Sequence, residues 1–114
     1  MSTEPTTPDG APGRENARIG TTLTFAGNGM RIWHLRLQAG ETLPAHRHDR
    51  PYFWTVLTDG QGRSRYSDGD VIDHQYTAGE TKHFKDLTTE NGFVHDLTNT
   101  GSTELVFVTV EFDR

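Results

Sequence analysis

Large apolar residues recur along this chain in short alternating runs broken by glycine. In the run 30–37, Trp33, Leu35 and Leu37 alternate with polar neighbours, which puts them on one face of an extended strand. In the run 105–112, Val106, Val108, Val110 and Phe112 share a second face, and the β-branched and aromatic content suits a pleated sheet. Gly27-Asn28-Gly29, Gly40, Asp59-Gly60, Asp68-Gly69, Gly79, Asn91-Gly92 and Gly101 punctuate the chain about every ten residues, the spacing of an all-β fold. Asn-Gly and Asp-Gly pairs tolerate the positive φ of tight hairpin turns. The pattern predicts strands near 21–25, 30–37, 41–46, 52–57, 63–66, 71–76, 81–84, 92–97 and 105–112. The stretch 80–91 holds mostly loop, with room for one helical turn through Phe84 and Leu87. Strands this short and this numerous must roll into a sandwich or barrel to hide their edges.

The first 18 residues differ from the rest. Pro5, Pro8, Pro12, Gly10 and Gly13 crowd them, and Met1 is their only large apolar residue. Such a segment cannot bury enough surface to offset its ordering entropy, so residues 1–18 read as a flexible, disordered tail and 19–114 as one β-barrel domain. A chain of 114 residues has room for no second domain. The net charge of −5 argues against nucleic acid or an anionic membrane as partner, since both need a basic face. The absence of cysteine excludes disulfides, thiolate metal sites and cysteine nucleophiles. No apolar run approaches a membrane span, and the N-terminus lacks the pattern of a signal peptide, so a cytoplasmic protein is expected.

Six histidines stand out: His34, His46, His48, His74, His83 and His95. Positions two apart on a strand point the same way, so His46 and His48 can reach a common point. Further along comes Gly92-Phe-Val-His95-Asp-Leu-Thr-Asn99. This order resembles the two motifs of the cupin superfamily. Gly40, His46 and His48 match the first motif, and Gly92, His95 and Asn99 match the second, with the resemblance running from about Ile19 to Phe112. Arg50-Pro-Tyr52, Leu57-Thr-Asp-Gly60, the stretch around His95 and the closing 107–112 are loosely similar to BauB-like proteins linked to β-alanine degradation. Two departures stand out. Tyr52 (or Phe53) falls where the motif has a metal-binding glutamate, and Lys85 falls where the second motif has proline. Lys85–Asn91 reads as an insertion in a hairpin.

The resemblance implies a single-domain jelly-roll barrel in which His46, His48 and His95 converge on a divalent metal ion. Imidazole suits iron, zinc, manganese, nickel and copper alike. Without the glutamate the ion keeps its full double charge, which favours an anionic or bidentate oxygen ligand such as a small carboxylate or an enolisable dicarbonyl. Oxygenase- or isomerase-like chemistry follows from that reading. Tyr52 is then a fourth ligand, a general acid or base, a donor behind the ligands, or simply a packed tyrosine. The alternatives are a non-catalytic binding protein with the same pocket, and a metal-free isomerase using a histidine with Tyr52. Trp54 shares the parity of Tyr52 and is expected to line the pocket. Arg36, Arg47 and Arg50 are placed near the mouth, either to pair a substrate carboxylate or as solvated surface residues. His34 faces away from the apolar side, and His83 reaches the pocket only if the register shifts. Asp96 is expected in solvent, and Asn99 as a turn residue. Barrels of this size often pair through edge strands, so a homodimer is expected.

Overall fold

The computed structural model describes residues 13–113, and these contain nine strands and no helix. The strands are β1 (Thr22–Gly27), β2 (Met30–Leu37), β3 (Thr42–His48), β4 (Tyr52–Val56), β5 (Gly60–Arg65), β6 (Val71–Tyr76), β7 (Thr81–Phe84), β8 (Phe93–Asn99) and β9 (Leu105–Phe112). They form two antiparallel sheets, one in the order β1-β2-β9-β4-β7 and one in the order β3-β8-β5-β6. All-β structure is what the punctuation predicts, and the two-sheet jelly roll is what the resemblance implies.

The Asx-Gly pairs divide into two physical roles. Asn28 and Gly29 both take positive φ, 53° and 79°, and close the two-residue turn between β1 and β2. Gly69, at φ 99°, supplies the positive φ in the longer turn between β5 and β6, where its N–H bonds Tyr66 O (3.0 Å). Asp59-Gly60 and Asn91-Gly92 instead lie where the chain passes from one sheet to the other. There glycine allows close approach: a Cβ on Gly92 would meet the His48 backbone oxygen, and one on Gly60 would sit 2.9 Å from Leu105 Cδ1. Lys85–Asn91 is therefore no hairpin insertion. It is the link from β7 in one sheet to β8 in the other, tied by Asn91 Nδ2 to Asp86 O (3.0 Å) and by Thr88 N to Asn91 Oδ1 (2.6 Å).

The described chain also begins before Ile19. Residues 1–12 of the expected tail lie outside the described residues. From Gly13 onward the chain is bonded to the outer edge of β3: Arg47 N donates to Asn16 O (2.8 Å), and Asn16 Nδ2 donates to Ala45 O (3.0 Å). Composition carries no sign of these bonds, one backbone and one from the Asn16 side chain, which cover an otherwise open strand edge. Ile19 follows them into the core at 3% exposure.

Trp33, Leu35 and Leu37 do share a buried face. On β9 the barrel-facing row is Leu105, Phe107, Thr109 and Glu111; of these Phe107 and Thr109 line the central cavity. Val106, Val108, Val110 and Phe112 form the other face. The main apolar cluster joins Leu35, Leu37, Leu43, Val56, Tyr76, Leu97, Leu105 and Phe107, with Trp54 packed against it. Burial of a large aliphatic side chain contributes about 1.5–3 kcal/mol, so this cluster anchors the barrel and leaves the neighbouring layer free for polar groups.

Candidate metal centre

A β-bulge aims the first histidine. On β3, Leu43 pairs with Leu97 and His46 pairs with His95, so one extra residue is accommodated between them. Strict alternation would set Leu43 and His46 on opposite faces. The bulge, at Pro44-Ala45, returns both to the barrel interior, and proline is tolerated there because it owes no ladder bond. The Pro44 carbonyl then accepts a hydrogen bond from His46 Nδ1 at 2.8 Å. His48 follows two residues later on the same face, and His95 faces His46 directly from β8.

The three rings meet edge to face, with centroids 4.8 Å (His46–His48), 4.8 Å (His46–His95) and 5.1 Å (His48–His95) apart. One ligand nitrogen from each lies within 4.8 Å of the others. Burial holds all three below the ordinary histidine range, His48 and His95 well below it. Mutual repulsion adds to the shift of His48 and His95, so the rings are neutral at pH 7. Because a carbonyl only accepts, the His46 proton is on Nδ1, and its Nε2 lone pair points at His48 Nε2, 3.0 Å away. Two lone pairs at that distance need a proton or a cation between them. A proton on His48 Nε2 leaves His48 Nδ1 as a bare buried acceptor, and Nδ1 of His48 and of His95 have no protein partner. Two nitrogens each about 2.0–2.1 Å from a common ion and roughly at right angles lie about 3 Å apart. The His46–His48 spacing therefore fits a divalent ion, and His95 is the third histidine of the cluster.

Around the triad is a cavity of about 50 Å³, lined among others by Tyr52, Trp54, Tyr76, Phe107 and Thr109. Tyr52 occupies the glutamate position of the motif and is 2% exposed. Its ring is sandwiched between His48 (4.1 Å, 12°) and Phe84 (4.6 Å, 5°). Burial pushes the Tyr52 phenol well above its ordinary value, so it stays protonated in the metal-free chain. Trp54 lines the cavity as expected.

Other candidates lie elsewhere. His34 is on β2 with its backbone facing β1 and β9. His83 is exposed on β7 beside Phe53, in register, and does not reach the cavity. His74 bonds Glu80 Oε2 at 2.7 Å. Arg36 pairs with Glu104 in solvent, whereas Arg47 and Arg50 line a separate cleft. Asp96 corrects the solvent reading. It is 7% exposed, and its carboxylate accepts from Arg65 N (2.9 Å), Nε (2.9 Å) and Nη2 (2.7 Å). The β5 strand beside β8 supplies that partner, and a carboxylate on a covered sheet face needs one. Asn99 is fully buried and holds backbone groups, as a turn residue should: Leu37 O, Thr103 O and Gly101 N.

Two residues near the site escaped the motif reading. Tyr66 is bridged to His95 and has its ring 5.0 Å away. Glu111 pairs with Tyr52 across β9 and β4, is 5% exposed, and accepts from Arg31 Nε at 3.0 Å. The parity of Phe107, Thr109 and Glu111 was the available signal for it.

No protein-family model matches the chain, and no curated protein matches it. Solved structures do. A cupin domain from Bordetella pertussis superposes with a TM-score of 0.71 at 22% identity, over 90% of this chain and 100% of that one. A Klebsiella pneumoniae protein with a double-stranded β-helix domain gives 0.62 at 23%, over 98% and 87%. An oxalate oxidase gives 0.55 at 23%, over 75% of this chain but only 42% of its own. The chain thus has the fold of these cupin structures, with a histidine triad inside the barrel. The looser likeness to BauB-like proteins finds no support in these comparisons.

Proposed function

We propose that this protein holds a divalent metal ion on His46, His48 and His95 and acts with it on a small anionic molecule. The observation that carries the reading is the contact between His46 Nε2 and His48 Nε2, 3.0 Å apart, with His46 already oriented by Pro44 O. When bound, the ion supplies polarisation of an oxygen ligand or activation of water or dioxygen. Imidazole donors do not choose among iron, zinc, manganese and nickel. The cavity of about 50 Å³ restricts the other ligand to a few heavy atoms, with Trp54 and Phe107 as its wall. Among the fold neighbours, oxalate oxidase is known in complex with the substrate analogue glycolate, a carboxylate of that size. Tyr52 lines the same cavity, stacked on His48, and in this reading its protonated phenol donates a hydrogen bond or a proton to such a ligand.

Metal analysis of the purified chain tests the reading, with His46→Ala and His95→Ala as controls. Near-stoichiometric metal that both variants lose is the expected result. Oxygen uptake with small keto acids and diketones then separates a catalyst from a non-catalytic binding protein. A second reading rests on the same nitrogen pair: a proton instead of an ion bridges His46 and His48, and Tyr52 is the acid of a metal-free isomerase. Absence of metal from every preparation, with isomerase turnover intact, selects it. We further propose a cytoplasmic homodimer. The outer edge of β1, where Leu23 and Phe25 are each 42% exposed, is the edge that pairing would cover, and light scattering reads the mass directly.

A further inference from the structure

A second cavity lies outside the histidine site. It is a cleft of about 430 Å³ between residues 14–17, the chain end of β3, and the ends of β2 and β9. Arg14, Arg31, Arg47 and Arg50 line it, against the carboxylates of Glu15, Asp49 and Glu111. Nearly half of the arginines of a chain with net charge −5 are therefore gathered at one place, with Asp113 as a further carboxylate beside Arg31 and Arg50. The side chains of Arg31, Arg47 and Arg50 are 31%, 16% and 22% exposed, so their charges are partly desolvated and act more strongly than surface charges.

The internal partners leave donors unused. Arg31 donates from Nε to Glu111, but its Nη1 is 3.9 Å from Asp113. Arg47 donates from Nε to Asp49 (3.3 Å) and from Nη2 to Thr89 O (3.0 Å), which leaves Nη1. Among the described residues, Arg50 has only ion-pair contacts, at 3.8 Å to Asp49 and 3.7 Å to Asp113. Charge-assisted N–H···O bonds are about 2.7–2.9 Å long. The Arg50 fork is thus held in place by charge with its hydrogen bonds unmade. A guanidinium presents five N–H donors in a plane that matches carboxylate or phosphate oxygens two at a time.

We propose that this cleft binds a small dianion, a phosphate group or a dicarboxylate, on the forks of Arg31, Arg47 and Arg50. Two or three converging guanidiniums favour a dianion, because a monoanion satisfies only one. The proposal stands apart from the metal reading, since no imidazole lines the cleft. It also gives the β3–β4 turn, which follows His48, a second tie to ligand.

The test uses the full chain after chelator treatment, titrated with inorganic phosphate and, separately, with succinate at constant ionic strength set by chloride. Calorimetry reads affinity, and the Nε–Hε resonances of the arginines read location. Saturable binding of either anion is expected, with shifts at Arg31, Arg47 and Arg50. Arg50→Gln and Arg47→Gln should each weaken it about tenfold or more, and His95→Ala should leave it unchanged. Preference for phosphate or for succinate assigns the ligand class. No saturable binding of either anion overturns the proposal, as does binding that survives both glutamine variants or disappears with His95→Ala. If the variants do not fold, the wild-type Nε–Hε shifts decide alone: shifts elsewhere, or none, overturn it.

Discussion

Gly92 approaches His48 so closely that a methyl group on it would sit 2.6 Å from the His48 carbonyl oxygen and 3.2 Å from Asp49 Cα. Its φ is not in the left-handed region, so space and not backbone freedom is what requires glycine here. The contact joins the start of β8 to the end of β3, the two strands that carry the triad. Gly92→Ala should therefore push His95 away from His48. The expected cost is about 1–3 kcal/mol in urea unfolding, together with weaker metal uptake by titration. A variant with wild-type stability and uptake would show that the strands separate without disturbing the site.

Metal binding should stabilise the fold, because an ion that binds only the native state adds stability by mass action. At free metal one hundred times its dissociation constant the gain is about 2.7 kcal/mol. Thermal melts with and without chelator measure it. His46→Ala and His95→Ala should erase the difference between the two melts.

Stability of the metal-free chain should depend on pH through the triad. Unfolded, each imidazole titrates near 6.5; folded, burial holds each lower. Below 6.5 the unfolded chain carries more protons than the native one, so acid favours unfolding. The stability is complete above about pH 7 and falls as pH drops below it, by up to about 1.4 kcal/mol per pH unit for each imidazole. Urea midpoints from neutral to mildly acid pH test this, and His48→Asn should reduce the slope by one proton. A slope of the opposite sign would contradict neutral, buried rings.

Tyr52→Phe keeps both ring stacks and removes only the hydroxyl. If the phenol is the proton donor, turnover should fall by about a hundredfold or more while metal content is unchanged. Full turnover in this variant would assign Tyr52 to packing.

Asn99→Ala should be among the most damaging substitutions away from the site. It removes two bonds to Leu37 O and Thr103 O and one from Gly101 N in a fully buried place. A loss of about 3 kcal/mol is expected, read from the urea midpoint.

The strands were legible because alternation and turn residues act over a few positions. Four of them, β2, β6, β7 and β9, end where the pattern places them. Asn28-Gly29 was legible as a hairpin turn for the same reason, and Asp59-Gly60 was not separable from it, since close approach to Leu105 depends on a strand far along the chain. The motif spacing singled out His46, His48 and His95. What the sequence could not supply was the bulge at Pro44-Ala45, which turns His46 inward and sets its tautomer.

The same division holds for the charged groups. Asp96 looked like a solvent residue because its partner Arg65 is on another strand. In the sequence Arg47 and Arg50 group with Arg36 near the pocket mouth and nothing marks Arg31; in the fold β2, β3 and the loop after it meet at one cleft. Local periodicity determined by itself which segments extend and that His46 and His48 share a face, while His95 joined them through the resemblance of the motif order. Burial, tautomer and the pairing of charge are properties of distances across the barrel, and only the folded chain fixes those.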